Sequence, residues 1–116
     1  MEKHKLMILI VSDEDEKKAG KLINKISPSM QFVHMGKGTA EIAALDALGA
    51  GRASKAVIFS VIPESLVTKV LDLLNKRLYL DEPNSGIVFT IDLTAVSGLG
   101  ALQYLTGREV KQNEKN

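Results

Sequence analysis

The sequence predicts an α+β domain in which a four-stranded antiparallel sheet carries two helices on one face. Four short apolar runs alternate with two longer stretches of helical periodicity, in the order strand, helix, strand, strand, helix, strand. That order is the split βαβ arrangement, which places both helices on the same side of the sheet. The chain has 116 residues, the usual size of one domain.

The first strand and the first helix are expected between residues 6 and 26. Leu6–Val11 is a continuous apolar run bounded by polar residues, which is typical of a buried strand. Ser12 is suited to cap the next helix, since its hydroxyl can accept a hydrogen bond from a free amide and acidic residues follow it. Apolar residues then recur at helical spacing until a Ser-Pro-Ser segment at 27–29 ends the helix.

The second strand is expected at Met30–Met35, and the Gly-Lys-Gly segment 36–38 is expected to break it. Thr39–Leu48 has a strongly helical composition, and glycines at 49 and 51 follow it. We interpret this stretch as a short helix within the connection to the third strand.

The second half repeats the strand–helix–strand order. Lys55–Ile62 is predicted to be the third strand, and Pro63 suits a helix start because its missing N–H costs nothing there. Apolar residues at helical spacing predict a long helix to about Leu80, and a turn-rich loop leads to a fourth strand at Ile87–Leu93. We expect residues 1–107 to form the domain and residues 108–116 to form a polar tail.

The strands carry apolar residues at nearly every position instead of alternating with polar ones, which indicates burial on both faces of the sheet. Two helices on one face shield only that face. Association with further copies of the chain would cover the other, and the sequence therefore predicts an oligomer. The alternative is a monomer in which residues 95–105 fold over the second face.

Composition excludes several classes of function. A net charge of +1 gives no electrostatic footprint for nucleic acid, and no apolar run approaches the length of a membrane span. The absence of cysteine excludes disulfides and thiolate metal sites, and the two histidines lack a ligand pattern. No nucleophile–base pair or paired carboxylates are visible, so we expect a cytoplasmic protein that is not an enzyme and does not insert into membranes.

Several segments together resemble the nitrogen regulatory PII signalling proteins. The stretch Lys55-Ala-Val-Ile-Phe-Ser-Val-Ile-Pro63, the long helix after it and Gly86-Ile-Val-Phe-Thr-Ile-Asp92 are similar to the second half of that family. The Gly-Lys-Gly segment 36–38 resembles the Gly-x-Gly that opens the family's long mobile loop. The resemblance covers roughly residues 5–92. It implies a ferredoxin-like fold and a homotrimer that binds ATP or ADP, often with 2-oxoglutarate, in clefts between subunits. It also implies a relay in which a loop docks onto a transporter, an enzyme or a transcription factor.

The resemblance, together with a Gly-Lys-Gly-Thr segment at 36–39 that itself suggests phosphate binding, assigns ligand-binding roles to seven residues. The glycines at 36 and 38 would lie at the cleft, a lysine near the effector, a valine beside the adenine, and a glycine in the phosphate-binding loop. The residues so assigned are Gly36, Lys37, Gly38, Thr39, Lys55, Val61 and Gly86. Two other readings stay open from the residues themselves. Thr39 can simply cap a strand-to-helix turn, and Lys55 can be an edge lysine that opposes aggregation.

Two departures from the family bear on the ligand. Asn84-Ser85-Gly86-Ile87 stands where the family has Gly-Asp-Gly-Lys, and glycines at about 98 and 100 stand where it places two arginines. Arginine contacts are a major source of affinity for a triphosphate. We therefore interpret the chain as a divergent PII-like sensor of a small anionic effector, with ATP and ADP among the candidates, that relays through residues 38–54 to a target protein.

Two alternatives use the same fold. One is a trimeric protein-interaction module that binds no ligand, which the glycines in place of arginines favour. The other is a metal-tolerance trimer, against which the two isolated histidines and the absence of cysteine count.

Overall fold

The sheet contains four antiparallel strands in the order β2-β3-β1-β4. The computed structural model describes residues 2–37, 54–83, 85–98 and 100–102. Two helices connect strands within this part of the chain. The elements are β1 His4–Ser12, α1 Glu16–Ile26, β2 Gln31–Lys37, β3 Ser54–Pro63, α2 Glu64–Arg77 and β4 Ile87–Asp92. The predicted ferredoxin-like βαββαβ order and antiparallel sheet are confirmed.

The hydrophobic core lies between the helices and one face of the sheet. In the central strands every second side chain is fully buried, as Met7, Leu9 and Val11 are in β1. The matching side chains of β3 pair with them across the sheet. The buried core consists of these residues and Ala19, Leu22, Ile23, Ala56, Ile58, Ile62, Val70, Leu74 and Leu78. The apolar residues whose spacing predicted the strands and helices therefore pack together in one core.

The start of α1 differs from the prediction. A 3-10 turn at Asp13–Asp15 separates β1 from the helix, and the Ser12 side chain makes no capping hydrogen bond. The prediction that Ser12 caps the helix is therefore wrong. Three consecutive acidic residues form the tighter turn, and α1 begins only at Glu16.

The second strand continues further than predicted. Gly36 and Lys37 lie inside β2, where they pair with Lys55 and Ser54 of β3. The predicted break at these two positions is wrong, because pairing with β3 outweighs the weak strand propensity of glycine. Gly38, Thr39 and the helix predicted at Thr39–Leu48 lie outside the described residues.

The N-terminal segment holds the start of α2. The Glu64 amide donates to the carbonyl oxygen of Lys3 at 2.9 Å, and the Ser65 amide donates to Oε2 of Glu2 at 3.1 Å. The first amides of a helix have no partner within the helix itself. Glu2 and Lys3 satisfy two of them and so fix α2 against the beginning of β1.

Candidate functional site

The face of the sheet that points away from the helices, called here the open face, carries a row of aromatic side chains. Strand register places Phe32, Phe59, Ile8 and Phe89 side by side across β2, β3, β1 and β4. Three of these four residues are phenylalanines, and the chain has no others. We call these four residues the aromatic row. The register thus gathers three distant sequence positions into one line.

Two further apolar rows flank the aromatic row. Register places Val57, Ile10 and Ile87 on one side of it, with His34 at the β2 end of that row. On the other side lie Val61, Leu6 and Ile91. Exposed apolar surface of this extent marks an interaction site.

The described C-terminal residues leave the edges of this face exposed. With residues 95–98 and 100–102 in place, Phe32 and Ile87 are each 55% exposed and Phe89 is 40% exposed. Leu102 is buried, but Val96 is exposed. In the described part of the chain the monomer alternative therefore leaves the edges of the open face in contact with water.

One end of the open face brings together several of the residues predicted to bind a ligand. Gly36 lies opposite Lys55, and Lys55 lies opposite Ser12 on its other side. Lys37 follows Gly36 on β2. Gly86 directly precedes Ile87, which pairs with Ile10, so Gly86 lies at this same end two strands away. We call this the Lys55 end of the sheet.

Val61 lies apart from the other predicted residues. It shares the open face with Lys55 but stands six positions along the same strand, which corresponds to about 20 Å. A single chain therefore does not bring Val61 to the Lys55 end. A cleft that contains both would need a second copy of the chain.

The two described glycines of the predicted site have different surroundings. Gly86 has a φ of +134°, and a Cβ added there would lie 2.6 Å from the carbonyl oxygen of Ile10 and 3.0 Å from Cγ1 of Val11. Only glycine fits this close approach of β4 to β1. A Cβ added at Gly36 would meet no atom of the described residues within 4 Å, apart from its chain neighbours, so these residues leave room for a side chain at Gly36.

An ion-pair cluster occupies the opposite end of the sheet. Lys5 Nζ lies 2.9 Å from Oδ1 of Asp92 and 3.7 Å from Oε2 of Glu64. The hydrogen bond from Lys5 and its positive charge lower the pKa of Asp92, and the same hydrogen bond together with the negative charge of Asp92 raises the pKa of Lys5. The cluster joins β1, β4 and the start of α2. Glu64 and Asp92 are exposed and Lys5 is partly buried, and the cluster is distant from the Lys55 end.

Sequence reasoning did not assign His34 or Ser12 to the candidate site. Both lie next to Lys55 on the open face, His34 diagonally on β2 and Ser12 directly opposite on β1. His34 could have been placed on the open face from the sequence, because it is two residues from Phe32 and side chains at i and i+2 share one face of a strand. The pairing that brings them to Lys55 is not visible in the sequence.

The described ranges, 2–37, 54–83, 85–98 and 100–102, offer neither a metal site nor a membrane-spanning helix. No set of three or more histidine and carboxylate side chains in these ranges could hold a metal ion. No helix within the described part is long and apolar enough to cross a bilayer.

Neither a protein-family model nor a curated protein matches the sequence. Solved structures do match the fold. A nitrogen regulatory PII-like protein of Thiomonas intermedia K12, CPII bound to ADP, AMP and bicarbonate, is 20% identical with a TM-score of 0.61, over 84% of this chain and 97% of its own. Arabidopsis thaliana PII bound to citrate is 15% identical with a TM-score of 0.60, over 80% of this chain and 77% of its own.

A third match has a different context. A Bacillus cereus protein related to NIF3 is 18% identical with a TM-score of 0.62, and the match covers 81% of this chain but 26% of that protein. The same fold therefore also occurs as part of a longer protein. At these identities the likeness establishes the fold and no more. The fold of this chain is the one that PII-like proteins share, as the sequence resemblance predicted.

Proposed function

We propose that this chain is a PII-like regulatory protein that assembles into a homotrimer and senses a small anionic effector in clefts between its copies. The observation that carries the proposal is the aromatic row on a sheet face whose edges the described residues leave uncovered. The match covers 97% of CPII, which favours a PII-like regulator over other proteins that contain this fold. The protein would act in the cytoplasm as a regulator and not as an enzyme.

Association of copies follows from the energetics of the open face. Completing the burial of a half-exposed phenylalanine or isoleucine is worth about 1 kcal/mol. Phe32, Ile87, Phe89 and Ile91 each offer this gain at the edges of the face, and the central strands add partly buried apolar side chains. The open face has no acidic side chain in its three apolar rows, so nothing charged negatively opposes contact between copies.

The effector would bind at the Lys55 end. Lys55 supplies a positive charge there, and Gly36 opposite it has no side chain of its own. Val61 of a neighbouring copy would complete the cleft, since one chain keeps it about 20 Å away. Solved proteins of this fold hold ADP, AMP and bicarbonate in one case and citrate in another, so a nucleotide or a smaller anion fits the proposal. Residues 38–54 follow β2 in the sequence and lead into β3, and they would relay binding to a target protein.

Calorimetric titration of the full chain with ADP, ATP, bicarbonate and citrate tests the proposal. We expect at least one of these to bind, and we expect Lys55→Ala to weaken that binding about tenfold, because a charge-assisted contact is lost. The matched control is Lys69→Ala, which removes an exposed lysine from α2 and should leave binding unchanged. Failure of all four ligands to bind would refute the sensing role.

A second candidate is a trimeric interaction module that binds no effector. It is favoured by Gly98, an exposed glycine at a position where the family resemblance implies an arginine. The Gly86 loop also lacks the lysine expected from the resemblance. A stable trimer that binds none of the four ligands would select this candidate over the sensor.

A further inference from the structure

Lys55 is not the only ionisable group at its end of the open face. His34 and Gly36 both lie on the open-face side of β2, because they alternate with Val33 and Met35. Gly36 is directly opposite Lys55, and His34 is opposite Val57, two residues further along β3. His34 and Lys55 are therefore diagonal neighbours on one face.

Diagonal neighbours in an antiparallel pair are about 7–8 Å apart, within reach of long side chains. An imidazole and a four-carbon ammonium side chain can thus point at the same small volume from two strands. That volume lies above Gly36, where no atom of the described residues other than its chain neighbours stands within 4 Å of the missing Cβ. Ser12 lies one strand further away, on the far side of Lys55, where it offers a hydroxyl donor to the same end of the face. Two potential cations therefore flank a position that carries no side chain of its own.

We propose that His34 is a second anion-binding residue, which together with Lys55 holds the effector's anionic group over Gly36 and makes effector binding stronger at lower pH. The inference rests on the proposed function, in which the Lys55 end binds an anion. Histidine is the side chain that gains its charge between about pH 8 and pH 5. Protonation of His34 would add a positive charge and a charge-assisted hydrogen bond to the site.

The other charged groups around His34 are few in the described residues. Lys55 faces it from β3, and β1 contributes the uncharged Ser12. Lys37 is on β2 but on the helix side of the sheet by strand alternation. Asp13, the first residue after Ser12, is the nearest acidic residue along β1 and the turn that follows. Asp13 is exposed to water, which screens its charge.

Sulfate is the appropriate probe, since it keeps its double charge throughout the relevant pH range. The affinity of the full-length protein for sulfate is measured by calorimetry at pH 5.5 and pH 8. We expect the wild type to bind about tenfold more tightly at the lower pH. His34→Gln should lose this dependence. His4→Gln is the matched control and should keep it, because His4 lies at the far end of β1, opposite Pro63.

Proton NMR of the two histidine rings provides a second readout that needs no variant. Saturating sulfate should move the titration midpoint of the His34 ring to higher pH and leave that of the His4 ring in place. Sulfate binding with equal affinity at both pH values, or an unmoved His34 midpoint, would overturn the inference and leave the proposed sensor standing. Failure of sulfate and of all four ligands named above to bind at either pH would overturn both.

Discussion

Gly36 and Gly86 were assigned to the ligand for the same reason, yet the structure gives them different physical roles. At Gly86 the backbone is in a region that only glycine adopts easily, and β1 passes too close for a side chain. At Gly36 the backbone is ordinary strand and the space beside it is empty. Gly86 is thus required by the fold whatever the protein binds, while Gly36 is free to serve a ligand.

Gly86→Ala should therefore destabilise the protein by about 2–3 kcal/mol, because the added Cβ meets the Ile10 carbonyl and the residue is strained. Gly36→Ala is the matched control and should change the free energy of unfolding by less than about 0.5 kcal/mol or raise it slightly. Urea unfolding of both variants measures the difference. Equal losses at the two positions would contradict this account of Gly86.

Tyr79 has an unusual backbone for a residue with a side chain. Its φ is +54°, and it follows α2 where the Leu80 amide donates to the Asn75 carbonyl at 3.2 Å. This is a Schellman ending, in which glycine usually takes the left-handed position. The Tyr79 ring is exposed, and Lys18 Nζ lies 6.0 Å from its centroid.

Tyr79→Gly should raise the free energy of unfolding by about 0.5–1 kcal/mol. Glycine relieves the cost of the left-handed backbone, which is roughly 1–2 kcal/mol for an L-residue. The variant also loses the exposed contact with Lys18, which reduces this stabilisation by about 0.5 kcal/mol. Thermal and urea unfolding measure the change, and Lys18→Ala measures the contact separately. A less stable Tyr79→Gly protein would show that the tyrosine contributes more than the contacts described.

At the scale of elements, the sequence predicted the central strands better than the edges. Continuous apolar runs identified β1 and β3, because both faces of a central strand meet apolar neighbours. The end of β2 was missed at Gly36 and Lys37, where pairing to β3 and not local propensity decides. The start of α1 was missed because the residues Asp13–Asp15 suit a helix start and a 3-10 turn equally.

The ion pair between Lys5 and Asp92 joins the beginning of β1 to the end of β4, at the end of the sheet where Pro63 lies. The pKa of Asp92 is lowered from its ordinary value of 3.8, so the pair contributes stability above that pH and loses it as the pH falls through the lowered value. The pKa of Lys5 is raised from 10.5, so its contribution persists below that pH and is lost as the pH rises through the raised value.

Lys5→Met should therefore lower the urea midpoint slightly at neutral pH, and the difference from the wild type should shrink as the pH falls below 3.8. The effect is small, since Asp92 is largely exposed and solvent screens the pair. Lys69→Met, which removes an exposed lysine from α2, controls for the change in net charge. A difference that stays constant down to pH 2.5 would show that the pair does not titrate as described.

For the molecule as a whole, strands apolar at nearly every position predicted a second face in need of cover, and the described residues leave the edges of that face exposed. The candidate site was predictable only in part. The family resemblance assigned Gly36, Lys55 and Gly86 to one ligand site, and strand pairing places all three at the same end of the sheet. The separation of Val61 from Lys55 and the closeness of His34 to Lys55 follow from how the strands extend and pair, and the local sequence does not encode this pairing.

Phe89→Asp should prevent assembly without unfolding the single chain. Phe89 lies in the aromatic row on an edge strand and is 40% exposed, so a carboxylate there reaches water in a monomer but is buried in an assembly. Tyr79→Asp, an aromatic-to-carboxylate change away from the open face, is the control and should leave assembly intact. Circular dichroism checks folding, and size-exclusion chromatography with light scattering gives the mass. An unchanged mass for Phe89→Asp would exclude this face from the contact.

Sedimentation equilibrium of the unmodified chain at micromolar concentration decides whether copies associate through the open face. The account predicts a single species with three times the mass of the 12.6 kDa chain, since the open face is then shared among copies. A species with the mass of one chain under these conditions would contradict it, and the clefts in which the effector is proposed to bind would not exist.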